Sequence, residues 1–267
     1  MTRFLSRTLA FALALSLSPV AGSAADPSAM AEVTLLPGWR TAEGVHVAGL
    51  RIRLEPGWKT YWRAPGEAGI PPHIDWSGSR NLVATETRFP APEVFDSFGV
   101  QTIGYTGEVI LPLLLKPSDP AAPMQVTADV SLGVCHDICM PMTTTVRATL
   151  PPGGAPDPAI RAALADEPRV IDTRLRCAMA PIADGVRVEM GMRAPDGMGP
   201  EAVAVIESGD PSIWVSETET VVRGAALVAT ADLVPPRGAP LVIDRSRLKV
   251  TVIGPRGAVE TVGCDAG

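Results

Sequence analysis

Ser131-Leu-Gly-Val-Cys135-His136-Asp137-Ile138-Cys139-Met140-Pro141-Met142-Thr143 is the stretch from which the fold is read. It gathers two of the four cysteines, one of the three histidines and two of the nine methionines. Four residues of extended chain cover roughly 13 Å, whereas a disulfide needs Cα atoms about 4.4–6.8 Å apart. Cys135 and Cys139 can therefore bond only if the chain turns between them. Asp137 suits a turn, because its carboxylate accepts from nearby backbone N–H groups. Val134, Ile138 and the run Thr143-Thr-Thr-Val146 favour strands. The stretch is read as the tip of a β-hairpin that carries a short-loop cysteine pair.

Working outward toward the amino terminus, Glu32–Leu36 and Val45–Leu54 alternate as strands do, the second with an expected break at Gly49. Pro56-Gly57 turns the chain into Trp58-Lys-Thr-Tyr61-Trp62-Arg63, an aromatic strand in a chain only 4% aromatic, and its rings are expected to fill a core. Arg63–His73 is a Pro- and Gly-rich loop. His73 is expected exposed and His46 half-buried, and neither has metal-ligand spacing to another His or Cys. Pro90–Gly99 reads as a loop holding Phe95 and Phe98. Strand-like runs at Gly104–Leu115, Met124–Leu132 and Thr143–Leu150 complete an immunoglobulin-like sandwich over residues 31–150.

Toward the carboxy terminus, Pro151-Pro-Gly-Gly-Ala-Pro-Asp-Pro158 marks a boundary, and Ala159–Asp166 has the composition of a short helix. Residues 151–168 are expected as a linker. Beyond them, six alternating runs (185–190, 202–206, 212–215, 226–230, 241–243 and 248–253) predict a second β-sandwich over residues 169–267. Cys177 and Cys264 bracket it and are expected to staple its first strand to its last. The fold class is thus all-β: two immunoglobulin-like sandwiches joined by a Pro/Gly-rich linker with a short helix.

Residues 1–25 carry Arg3 and Arg7, an apolar run from Leu9 to Leu17 and the small residues Ala21–Ala25. That is the pattern of a secretory signal peptide, and the run is too short for the roughly 20 residues of a membrane span, so no stable membrane anchor is expected. Two of the 23 basic residues and none of the 29 acidic ones lie in it, leaving 21 against 29, a net charge of −8. Such a balance argues against nucleic acid and anionic membranes as partners. The chain has no His-Glu-x-x-His, no Gly-x-Ser-x-Gly, and no phosphate or dinucleotide glycine loop.

The chemistry accordingly falls to the cysteine motif, for which the residues leave three readings. A cysteine pair in a small loop is open to attack by a partner thiolate, and the second cysteine can resolve the mixed disulfide; His136 and Asp137 would tune the thiolate. Alternatively Cys135, His136, Cys139, Met140 and Met142 form the soft donor set that Cu(I) selects. The third reading is an inert staple. A cofactor enters only the second, and the one enzymatic class left open is a thiol–disulfide oxidoreductase of the protein-disulfide reductase type.

The run Glu55-Pro-Gly-Trp58-Lys-Thr-Tyr-Trp62-Arg63-x-Pro65-Gly66-x-x-Gly69-Ile-Pro71 resembles the amino-terminal periplasmic domain of the DsbD/ScsB family of thiol–disulfide interchange proteins. Ile74-Asp75-Trp76, Phe89-Pro90-Ala-Pro92-Glu93, Gly104-Tyr105-x-Gly107-Glu108-Val109 and Val134-Cys135-x-Asp137-Ile138-Cys139-Met140-Pro141 follow in the same order. The resemblance covers residues 31–150. It implies a periplasmic location, an immunoglobulin-like fold and a redox pair at Cys135 and Cys139. The implied partners are a membrane-embedded DsbD/CcdA-like electron donor and periplasmic thioredoxin-fold acceptors. It also implies a cap loop shielding the pair, with Phe95 or Phe98 as the shielding ring. Full-length relatives continue into a membrane domain and a thioredoxin-like domain, so this chain is expected to act as a stand-alone soluble protein. ScsB-type members belong to suppressor-of-copper-sensitivity systems, and the cysteine spacing follows that branch, which keeps the copper reading open.

Overall fold

The computed structural model describes residues 30–97, 99–173 and 175–266; the segment expected as a signal peptide and Phe98 lie outside them. The regular structure among the described residues is β-strand apart from one short helix, as the alternating hydrophobicity predicts.

In the first domain, β1 (Ala31–Arg40), β2 (His46–Leu54), β3 (Lys59–Tyr61) and β4 (His73–Asp75) are followed by β5 (Ala84–Thr87) and β6 (Glu93–Ser97). Then come β7 (Val100–Thr106), β8 (Glu108–Lys116), β9 (Met124–Cys135) and β10 (Cys139–Leu150). One sheet runs β1-β2-β8-β5 and the other β10-β9-β3-β7-β6, with β4 also on β9. Even-numbered residues of β9 from Met124 to Val134 face the core between the sheets, together with Leu50, Ile52, Trp62, Leu111 and Leu113. The odd-numbered residues of β9 face outward, and Cys135 is among them.

Three local expectations change. Gly49 does not break β2, which runs unbroken; a Cβ there would lie 2.9 Å from Ile160 Cγ1, so the glycine makes room for the helix. The irregularity falls instead in β1, between Leu36 and Trp39. His46 is fully buried rather than half-buried, its Nε2–H donating to the Pro37 carbonyl at 2.6 Å and its Nδ1 facing Arg40 Nε at 3.4 Å. Segment 93–97 is strand β6 rather than loop, paired with β7 through a turn at Gly99.

Helix α1 (Pro158–Ala165) starts where Asp157 accepts from the backbone N–H groups of Ala159 and Ile160. It is no free linker: Ile160 is fully buried against Val47 and Ile110 of the first domain.

The second domain comprises β11 (Arg169–Val170), β12 (Arg176–Pro181), β13 (Val186–Arg193), β14 (Val203–Glu207) and β15 (Trp214–Val215). It continues with β16 (Glu219–Arg223), β17 (Ala226–Val234), β18 (Lys249–Gly254), β19 (Gly257–Val262) and β20 (Asp265–Ala266). Its sheets run β11-β19-β18-β14 and β15-β17-β13-β12-β20, with β16 also on β17. Leu241–Ile243, expected as a strand, is irregular: Val242 points to solvent while Leu241 and Ile243 lean on the core. Cys177 and Cys264 are bonded and join the regions of β12 and β20. The two domains are not beads on a string, because Val205, Ile253 and Ala258 of the second are buried in one cluster with the core of the first.

Candidate functional site

The β9–β10 hairpin keeps continuous register from Met124↔Leu150 to Cys135↔Cys139, which brings the two cysteine Cα atoms to 4.2 Å. The side chains are joined as a disulfide across the loop His136-Asp137-Ile138. The two cysteines differ in access: Cys135 is 3% exposed, whereas Cys139 is an exposed residue. Ile138 beside it is 74% exposed.

Beneath the pair sits Tyr61. Its phenol oxygen lies 3.0 Å from Cys135 Sγ and 2.9 Å from Cys139 Sγ. The aromatic strand was expected to pack a core, but alternation splits it: Trp62 enters the core and Tyr61 takes the outer face. The ring fits there because residue 133 is glycine; a Cβ would lie 2.9 Å from the Tyr61 ring and 2.8 Å from Ile70 Cβ. Burial pushes the phenol above its ordinary pKa, so it remains an O–H donor at neutral pH. Tyr61 is the site residue that motif reading passed over. The signal was present in the alternation of Trp58–Arg63, which forbids Tyr61 and Trp62 from sharing a face.

Loop 63–72 covers the other side of the Tyr61 ring. Pro65 O accepts from Ile103 N at 3.1 Å, Ile70 O accepts from Gly133 N at 3.3 Å, and a Cβ on Gly69 would lie 2.9 Å from Tyr61 Cδ1. Lys59, paired through its backbone with Cys135, extends its ammonium over the Phe95 ring, 5.1 Å from the centroid, and to Thr102 Oγ1 at 3.3 Å. Phe95 is thus placed against Lys59 on β6, three strands from β9.

His136 and Asp137 contact each other, Nδ1 to Oδ2 at 2.9 Å, and the imidazole lies beside Trp58 with ring centroids 5.7 Å apart. Asp137 is 92% exposed. The methionines part company with the cysteines. Met142 is buried in the core, and Met140 packs against that core, on the opposite face of the hairpin from the sulfurs. Hence the geometry does not gather Met140 and Met142 with Cys135, His136 and Cys139 as a Cu(I) donor set. Among the described residues no three His, Cys, Asp or Glu side chains are grouped to hold a metal ion. His73 is exposed, on β4.

Residues 32–151 match the family model described as "Thiol:disulfide interchange protein DsbD, N-terminal". The first domain is a DsbD-type N-terminal domain. The DsbD-type match carries the thiol–disulfide interchange character of this domain. Among solved structures, the N-terminal periplasmic domain of ScsB from Proteus mirabilis is similar over 89% of this chain and 92% of its own, with a TM-score of 0.63. At 21% identity that likeness establishes a shared fold, and it extends through the second domain. No curated protein matches the chain. Among the described residues no helix is long and apolar enough to cross a membrane.

Proposed function

We propose that this chain passes electron pairs between periplasmic proteins through the Cys135–Cys139 couple, taking them from a membrane-embedded reductase and giving them to thioredoxin-fold acceptors. The observation that carries this reading is the unequal exposure of the two cysteines over a phenol donor. A donor thiolate attacks Sγ of the exposed Cys139; the S–S bond breaks and its electron pair moves to Cys135 Sγ, where the Tyr61 O–H stabilises the new thiolate. The donor's second thiolate then attacks its own sulfur in the mixed disulfide and releases Cys139 as a thiolate. The donor leaves as a disulfide, two electrons poorer. In the return half, Cys139 attacks the acceptor's disulfide, and Cys135 attacks Cys139 Sγ to free the acceptor as a dithiol. Sulfur chemistry completes both halves with no cofactor.

The roles predict different trapping behaviour. Cys135→Ser should accumulate a mixed disulfide between Cys139 and a thioredoxin-fold protein, because the resolving thiol is gone, whereas Cys139→Ser should trap none. The reverse pattern would exchange the roles. A reduction potential between roughly −180 and −270 mV supports exchange, and one below about −300 mV would make the pair a structural staple.

A further inference from the structure

Beside the cysteine pair, the second domain holds loop 63–72 through two side chains, Arg63 and Glu67. Arg63 Nε and Nη2 donate to Glu207 Oε1 and Oε2 at 2.9 and 3.0 Å, and Nη2 also donates to Glu260. Glu207 ends β14, and Glu260, which also pairs with Lys249 at 3.3 Å, lies on β19. The Arg63 side chain is only 21% exposed, with its guanidinium 4.2 Å over the Trp62 ring. Burial opposes its charge, but Glu207 and Glu260 more than offset that and hold its pKa above the ordinary value. Four residues on, Glu67 Oε1 accepts from the backbone N–H of Glu217 at 3.3 Å. Both anchors belong to loop 63–72, whose Pro65, Gly69 and Ile70 surround the Tyr61 ring.

The geometry points to a job for the second domain: it braces loop 63–72 through Arg63, and thereby holds the Tyr61 hydroxyl on the Cys135–Cys139 sulfurs. Arg63, Glu207 and Glu260 are positioning residues that set the poise of the couple without touching it. This rests on the exchange function proposed above. A phenol held at the sulfurs stabilises thiolate, so it favours the reduced pair and lowers the thiol pKa. Releasing the loop lets the phenol wander and withdraws that help.

The test measures, on the full mature chain, the equilibrium of the pair with glutathione and the pH profile of its alkylation when reduced. Arg63→Met, which keeps an apolar stem over Trp62, should lower the equilibrium constant for reduction at least threefold, about 14 mV by the two-electron conversion. The alkylation profile should move to higher pH. The double substitution Glu207→Gln with Glu260→Gln, made wholly in the second domain, should do the same, and decides the matter if Arg63→Met fails to fold. Tyr61→Phe should produce a shift at least as large, and adding Arg63→Met to it should change nothing further, since both act through one hydroxyl. Unchanged values in the clamp variants, or shifts that add to that of Tyr61→Phe, would overturn the brace. A wild-type potential below about −300 mV would instead remove the exchange function, while the comparison among variants would still report on the brace.

Discussion

At Gly133 a single missing methyl admits a tyrosine ring to the sulfurs. Gly133→Ala would set a Cβ 2.8–2.9 Å from Ile70 and the Tyr61 ring. Overpacking of that kind should cost about 1–3 kcal/mol, read as a lower urea midpoint with an unchanged slope. The cysteine pair was legible in the sequence because its chemistry is local: two sulfurs four residues apart require a turn, and the β-favouring flanks make that turn a hairpin. Alternation put Tyr61 on the face away from Trp62, but its place at the sulfurs was not legible, because it depends on loop 63–72 folding back over the outer face of β3. The methionines misled for a related reason. Donors close in sequence are shared between two faces of a strand, and Met140 and Met142 fell on the core side.

Among the elements, β1 and β2 carry a pH dependence. Burial, the first cause, depresses the pKa of His46, and the neighbouring Arg40 charge works in the same direction against the pull of the Pro37 carbonyl. The folded state therefore binds this proton less readily than the unfolded chain, whose histidine titrates near pH 6.5. Above that pH both states are neutral at His46 and nothing is lost. As pH falls below about 6.5 the unfolded chain takes up the proton first, so stability declines until the folded pKa is reached. Denaturant midpoints between pH 7.5 and 5 should show this fall, and His46→Gln should flatten it. Helix α1 makes a second case. Ile160→Ala should cost about 2–5 kcal/mol because the side chain is fully buried, whereas a helix in a free linker would lose almost nothing. The helix itself was readable from Asp157, Pro158 and the alanines; its docking was not, because the surface it covers is assembled from β2 and β8. Strands β16 and β19 escaped notice too. Their runs are short, and each folds back on its neighbour in the chain, β16 on β17 and β19 on β18.

For the molecule as a whole, Val205, Ile253 and Ala258 are buried in the first sandwich's cluster, and the two sandwiches are therefore expected to unfold as one cooperative body. Ile253→Ala should lower stability by about 2–5 kcal/mol and shift a single unfolding transition as a unit. Two transitions, only one of them moved, would show the domains melting independently. The bond between Cys177 and Cys264 spans 87 positions and restrains the unfolded second domain, a contribution of about 4–5 kcal/mol in the chain-entropy picture. Cys135 and Cys139 stand in the opposite situation. Each strand of their hairpin is 12 residues long, and the cross-strand ladder already holds the sulfurs at its end. Cutting their bond releases no slack chain. A fastener at the tip of a closed zip can be undone and refastened while the garment keeps its shape, so the proposed exchange would open and close this bond without drawing on the energy that keeps the molecule folded.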